Sequence, residues 1–172
     1  MSHVTLDPVT DANEQAFRSL YNLYLHDLAA YQPAAVDETG SYDAGVVDNL
    51  LDHTDKGANL FLIRSDGQLS GLMVHSGPPL VEPGCDFHLY ELFVLNHLKG
   101  RGVAGDAVRA LLAAYPGRYG LGVLKTNTRA RAFWERFLGG HGTNVTQTDQ
   151  HEAQVAYTFD LAASAPQGDA DA

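Results

Sequence analysis

The chain has 172 residues, 45% hydrophobic and 19% charged, which suits one soluble domain with a sizeable core. Eleven Lys and Arg against 21 Asp and Glu give a net charge of −10, which argues against bulk nucleic-acid binding, since that needs a basic footprint. The single cysteine, Cys85, excludes an intrachain disulfide, and no apolar run approaches the ~20 residues of a membrane span. Residues 1–8 lack the basic and apolar regions of a signal peptide, so a cytoplasmic location is expected, with no membrane and no nucleic-acid partner.

Val4 to Val9 reads as a short strand ended near Pro8. Asp11 is the expected N-cap of a helix, with Glu14 as its capping-box partner. Phe17, Leu20, Tyr21, Tyr24, Leu25 and Leu28 then recur at helical spacing, and Tyr31-Gln-Pro33 ends the helix. Residues 33–43 are loop-like, and Val46 to Leu51 is a short helical piece. Asn59 to Arg64 and Gln68 to His75, joined by Ser65-Asp-Gly67, predict a β-hairpin. After a Pro- and Gly-rich connection, Phe87 to Leu95 is the next strand. Gly102 to Tyr115 predicts a helix, Tyr119 to Thr126 a strand, and Thr128 to Leu138 a helix stopped by Gly139-Gly140. Val145 and Val155 to Leu161 supply further strand. Residues 162–172, small and polar, are expected to form a disordered tail after a single domain over 1–161. The order predicts an α/β fold, a mixed sheet with helices on its faces. The unit at 87–126 predicts a right-handed βαβ crossover between parallel strands.

Charge is unevenly spread. Lys99, Arg101, Arg109, Arg118, Lys125, Arg129, Arg131 and Arg136 crowd one segment, whereas the first 57 residues hold ten acids and only Arg18 and Lys56 as bases. This suggests an anionic ligand on the second half and an acidic first half suited to a cationic substrate. The candidate anion site is Lys99-Gly-Arg-Gly-Val-Ala104, a turn between strand and helix. Glycines allow close backbone approach, the two cations add positive charge, and the free N–H groups of the helix start point outward. Gly100-Arg-Gly102-Val-Ala-Gly105 matches G-x-G-x-x-G, but no acid follows from Ala107 to Trp134 to hold a ribose, so a dinucleotide fold is disfavoured. Lys125-Thr126 lacks the preceding glycine of a P-loop.

These residues resemble the acetyl-CoA signature of the GNAT superfamily of N-acetyltransferases: a strand, then [Q/R]-x-x-G-x-[G/A], then a helix. Lys99 stands in the usual Gln or Arg place. Asn127-Thr-Arg-Ala130-Arg-Ala-Phe133-Trp134 is similar to the family's N-x-x-A-x-x-F-Y pattern, with Trp134 in the Tyr place. The residues Tyr21 to Tyr31 and the Phe133-Trp134 pair further resemble a group of uncharacterised bacterial acetyltransferases. The resemblance implies a GNAT-like fold in which a splayed strand pair binds acetyl-CoA as co-substrate, with no metal. It implies direct acetyl transfer to an amine of a small molecule or peptide, and leaves a homodimer open. It places the pantetheine arm against the backbone of Leu92 to Leu95, with Phe93, Val94 and Leu95 at the cofactor. Lys99, Gly100, Arg101, Gly102, Val103 and Ala104 meet the pyrophosphate. Asn127 bonds the pantetheine or caps the last helix, and Trp134 lies beside the cofactor or packs in the core.

Acetyl transfer needs a neutral amine, a polarised thioester and a proton for the thiolate. Strict alternation puts His88, Tyr90 and Leu92 on one strand face and Phe87, Leu89, Glu91 and Phe93 on the other. His88 and Tyr90 sit at what resemble the family's base positions. Glu91 falls one place off, unless a bulge re-aims it. The expected catalytic set is therefore His88, Tyr90 and Glu91, with the base open between His88 and Glu91. Trp134 is too weak an acid to protonate a thiolate, which leaves water or Tyr90. The other histidines show no metal-ligand spacing. A catalytically weak acyl-CoA-binding or sensing module is the alternative that Trp134 and Lys99 keep open.

Overall fold

The computed structural model describes residues 3–42, 44–149 and 152–161. The expected tail at 162–172 lies outside the described residues. In chain order the elements are β1 (Val4–Pro8), α1 (Glu14–Leu28), α2 (Ala44–Leu51), β2 (Ala58–Ser65), β3 (Gln68–Ser76), β4 (Phe87–Val94), α3 (Val103–Ala114), β5 (Tyr119–Leu124), α4 (Thr128–His141), β6 (Gly142–Thr148) and β7 (Gln154–Leu161).

Among the described residues, seven strands form one sheet in the order β1-β2-β3-β4-β5-β7-β6. Every neighbouring pair is antiparallel except β4–β5, which the βαβ crossover makes parallel, as expected. The β2–β3 hairpin turns at Asp66 (φ 51°) and Gly67 (φ 78°). Two successive left-handed residues match the twist of the flanking strands, which is why Asp-Gly was informative.

The central strands are apolar on both faces because both faces are covered. Leu60, Leu62, Leu72 and Val74 point toward α1 and α2, where they pack with Phe17, Leu20, Tyr21 and Val47. Phe61, Ile63 and Met73 point the other way, into a core shared with Val108, Leu111, Leu121, Trp134 and Phe137. Period-2 alternation along each strand thus feeds two cores, one per face.

Two local expectations need correction. The N-cap of α1 is Asn13, not Asp11: its side chain accepts the Thr10 N–H at 2.8 Å, and Glu14 becomes the first helical residue, paired with Arg18 at 2.7 Å. The last helix runs through Gly139-Gly140 to His141. The His141 ring bonds the Phe137 carbonyl at 3.1 Å and stacks on the Phe137 ring, which holds the final turn despite two weak helix formers. The stop is Gly142, where a Cβ would meet the Leu138 carbonyl at 2.9 Å and Val145 at 2.8 Å. Val145, isolated in sequence, belongs to a full edge strand, β6, paired only with β7.

His75 on β3 is fully buried, ringed by Phe87, Tyr115 and Tyr119, and neither ring nitrogen has a hydrogen-bond partner. Burial pushes its pKa down from 6.5 to about 4, so the native state holds it neutral. The unfolded chain takes up this proton near pH 6.5 and the folded protein only near 4. Stability is therefore lost as pH falls between those values, by about 1.4 kcal/mol per pH unit at most. In chemical denaturation at a series of pH values, His75→Leu should show a flatter fall over this window than the parent protein.

Candidate active site

β4 and β5 pair at only two positions, Phe87 with Tyr119 and His88 with Gly120. Beyond His88 the strands diverge, and the inner edges of Leu89–Leu92 and Leu121–Leu124 line a cleft of about 640 Å³. β4 stays paired to β3 along its other edge as far as Val94. Its free edge therefore faces the opening. Unpaired backbone groups there need a partner, and an amide-bearing chain laid in the gap would supply one.

At the far end of β4 the chain enters a tight turn. Gly102, at φ 87°, sits at the N-cap of α3 with no side-chain cap. A left-handed conformation at this point explains the glycine, because a side chain there would be strained. The N–H groups of the first helical turn lack intrahelical acceptors and carry the positive end of the macrodipole. Gly100 and Arg101 are exposed beside them, and Val103 and Ala104 begin the helix. Lys99 has a partner within the chain. Its ammonium pairs with Asp27 at the end of α1 and lies 5.6 Å from the centre of the Phe93 ring. Asn96 donates to the same carboxylate at 3.3 Å. Leu95 follows the strand end and bonds back to the Ser70 carbonyl at 2.9 Å. On the opposite wall Thr126 donates to the Tyr31 carbonyl at 3.2 Å. The segment at the end of α1 thus ties to both sides of the splay.

A bulge in β4 decides the middle of the site. The register shifts between Val74–Glu91 and His75–Leu89, which leaves Tyr90 as the extra residue. The expected face assignment fails here: Phe87 and Leu89 pack into the α3–α4 core, while Phe93 packs into the α1–α2 core. The added residue turns Glu91 to the α1 side, one place out of alternation. There Tyr21 and Tyr24 donate to the two oxygens of Glu91, Tyr21 at 3.2 Å. Burial raises the Glu91 pKa from 4.5 to about 7, against the lowering effect of both hydroxyls. Their own burial, and then the same carboxylate, push both tyrosine hydroxyls well above their ordinary range.

Of the other expected catalytic residues, Tyr90 is 48% exposed and its hydroxyl lies 3.4 Å from the Leu80 carbonyl. His88 is 9% exposed, packed on the Tyr90 ring, and its Nδ1 has no partner. Burial lowers its pKa, partly countered by Glu82. His88, Tyr90 and Glu91 all line the cleft. Asn127 caps α4, accepting the Ala130 N–H at 3.0 Å, and Trp134 is buried among Phe133 and Phe137 while lining the cleft wall. Sequence reading missed Tyr21 and Tyr24 as Glu91 partners. Their signal was two hydroxyl-bearing rings one turn apart on an otherwise apolar helix face. Among the described residues no group of three His, Cys, Asp or Glu is placed to hold a metal, and no helix is long and apolar enough to cross a membrane.

A splayed parallel pair, a bulged strand and a glycine-opened helix form a recognisable set. The model of the acetyltransferase (GNAT) family matches residues 17–139. The chain belongs to the GNAT acetyltransferase family. Among solved structures, an acetyltransferase from Thermus thermophilus superposes with a TM-score of 0.69 at 21% identity, covering 92% of this chain and 97% of that one. The Corynebacterium glutamicum protein described as a histone acetyltransferase and related acetyltransferase gives 0.63 at 17% identity, covering 95% and 98%. RimL, a ribosomal-protein α-N-acetyltransferase in complex with coenzyme A, gives 0.61 at 16%, covering 92% and 93%. At these identities the likeness is one of fold. No curated protein matches the sequence.

The turn at Gly102 generates a test. Gly102→Asp places a carboxylate and a strained backbone where phosphate would meet amides. Calorimetric affinity for coenzyme A should fall at least about tenfold in a variant whose circular dichroism is unchanged.

Proposed function

We propose that the protein transfers an acetyl group from acetyl-CoA directly to an amine, with Glu91 as general base. The observation that carries this reading is Glu91 itself: bulged out of register, lining the cleft beside the splay, with a pKa of about 7. A group that titrates near the working pH can both accept and release a proton readily. The donor's pantetheine arm would lie along the free edge of β4 near Leu92 to Leu95, with its pyrophosphate at Gly100–Ala104. The acetyl carbonyl would then come near the bulge. Glu91 removes a proton from the ammonium or from the attacking nitrogen. The new C–N bond forms as the C–S bond breaks, and the thiolate takes a proton from water or from the exposed Tyr90 hydroxyl. Tyr21 and Tyr24 hold the carboxylate in place. Trp134 forms a wall, since its indole N–H donates hydrogen bonds but does not titrate usefully. A binding or sensing module without turnover would take up coenzyme A equally well, so turnover is the decisive measurement.

Glu91→Gln should lower the acetylation rate by ~10²–10⁴-fold with little change in coenzyme A affinity, measured as free thiol released against an amine panel. In the parent protein the rate should climb as pH rises through about 7, where the carboxylate forms, and the variant should lose that limb. An active Glu91→Gln alongside an inactive His88→Ala would move the base to His88. The same carboxylate sets a stability signature. Its raised folded pKa favours the protonated native state, so stability is full below pH 4.5 and declines as pH rises through about 7. Glu91→Gln should therefore be the more stable protein at pH 8, by up to about 3 kcal/mol in denaturant titration.

A further inference from the structure

The cleft continues past Glu91 toward the closed end of the splay, away from the Gly102 turn. Pro79, Leu80, Val81 and Glu82 rim that end. A coenzyme A chain approaching from the α3 turn would leave this end free, so it belongs to the acceptor. Its chemistry is one-sided. Among the described residues lining the cleft there is no Lys or Arg, and its carboxylates are Glu82 and Glu91.

Three side chains converge above Gly120, the last β5 residue paired to β4. A Cβ on Gly120 would sit 3.2 Å from His88 Nδ1, 3.4 Å from Glu82 Oε2 and 3.4 Å from Cys85 Sγ. His88 is nine-tenths buried, and this Nδ1 is a buried polar atom without a hydrogen-bond partner. Leaving such an atom unpaired costs about 1–3 kcal/mol, which a bound donor would offset. A neutral imidazole with a free ring nitrogen accepts a hydrogen bond, and a carboxylate beside it accepts another. Arg118, whose charge reaches Cys85, does not fill this role, because Asp160 holds it at 3.1 Å and Thr158 at 2.9 Å.

We propose that the acceptor is a small amine carrying a second cationic nitrogen, and that Glu82 and His88, neighbours on the cleft wall, hold this second nitrogen while the reacting nitrogen lies at Glu91. The proposal rests on the acetyl-transfer reading of the same cleft. His88 and Glu91 are three residues apart on β4, at most about 10 Å at the ordinary strand rise. With each nitrogen a hydrogen bond away from its acceptor, a spacer of a few carbons fits between them.

The test compares 1,4-diaminobutane with 1-aminobutane, which share a chain length and differ in the distal nitrogen. Binding to the coenzyme A-loaded protein is read by calorimetry. The diamine should bind at least about tenfold more tightly, and Glu82→Gln should remove most of that ratio. Glu82 is exposed on a loop, so the variant has little reason to misfold. Gly120→Ala, which crowds the same point from β5, should lower the ratio as well. Equal affinity for the two amines, or a ratio that survives in Glu82→Gln, overturns the proposal. Thiol release from acetyl-CoA is read separately. Selective diamine binding without thiol release would sink acetyl transfer and leave the cation site standing. Acetylation of both amines with equal affinity would do the reverse.

Discussion

The parting of β4 from β5 after two residue pairs is the constraint on which the site depends. A parallel pair buried between two helical layers ordinarily continues its ladder, because unpaired backbone in a core is costly. Here the ladder stops while both strands keep their outer partners, β3 on one side and β7 on the other. The sheet is therefore held open by its own halves. The resulting gap is a slot with hydrogen-bonding walls, suited to a long flexible amide chain whose side groups need little recognition. Apolar packing of α3 and α4 beneath the slot keeps its floor dry.

The bulge at Tyr90 decides which carboxylate faces this slot. One extra residue moves Glu91 out of the α3–α4 core and against α1, where two tyrosine hydroxyls meet it. Opposing effects then set the carboxyl: low polarity around it favours the proton, and the hydroxyls favour the charge. Burial prevails, and the group titrates near neutrality. The folded state alone prefers Glu91 protonated, whereas base chemistry needs it ionised. On the proposed reading, this tension accompanies a carboxylate of useful basicity.

Much of this was legible in the residues. The hairpin followed from Asp66-Gly67, the βαβ unit from the order of apolar runs around Gly102, and the family from Lys99–Ala104 with Asn127–Trp134. The failures have two physical causes. The end of α4 depended on an i,i+4 His141–Phe137 stack and ring-to-carbonyl bond, a local pairing that offsets Gly139-Gly140 and that a glycine stop signal alone overlooks. Strand faces were wrong past Leu89 because register belongs to a pair of strands, and a bulge against His75 has no one-strand signature. The partner of Lys99 was missed for a similar reason, since Asp27 lies 72 residues away in the chain.

The end of α1 and the turn after it touch both walls of the slot: Asp27 holds Lys99 and Asn96 on the β4 side, and the Tyr31 carbonyl accepts from Thr126 on the β5 side. A single segment gripping both jaws acts as a calliper. The two sides of the gap are thus linked from outside the sheet as well. It follows that α1 has two duties in one length. Its middle turns hold the Glu91 carboxylate, and the segment at its end is fastened to both sides of the opening. On the acetyl-transfer reading, a drift in the helix would disturb proton transfer and donor seating together.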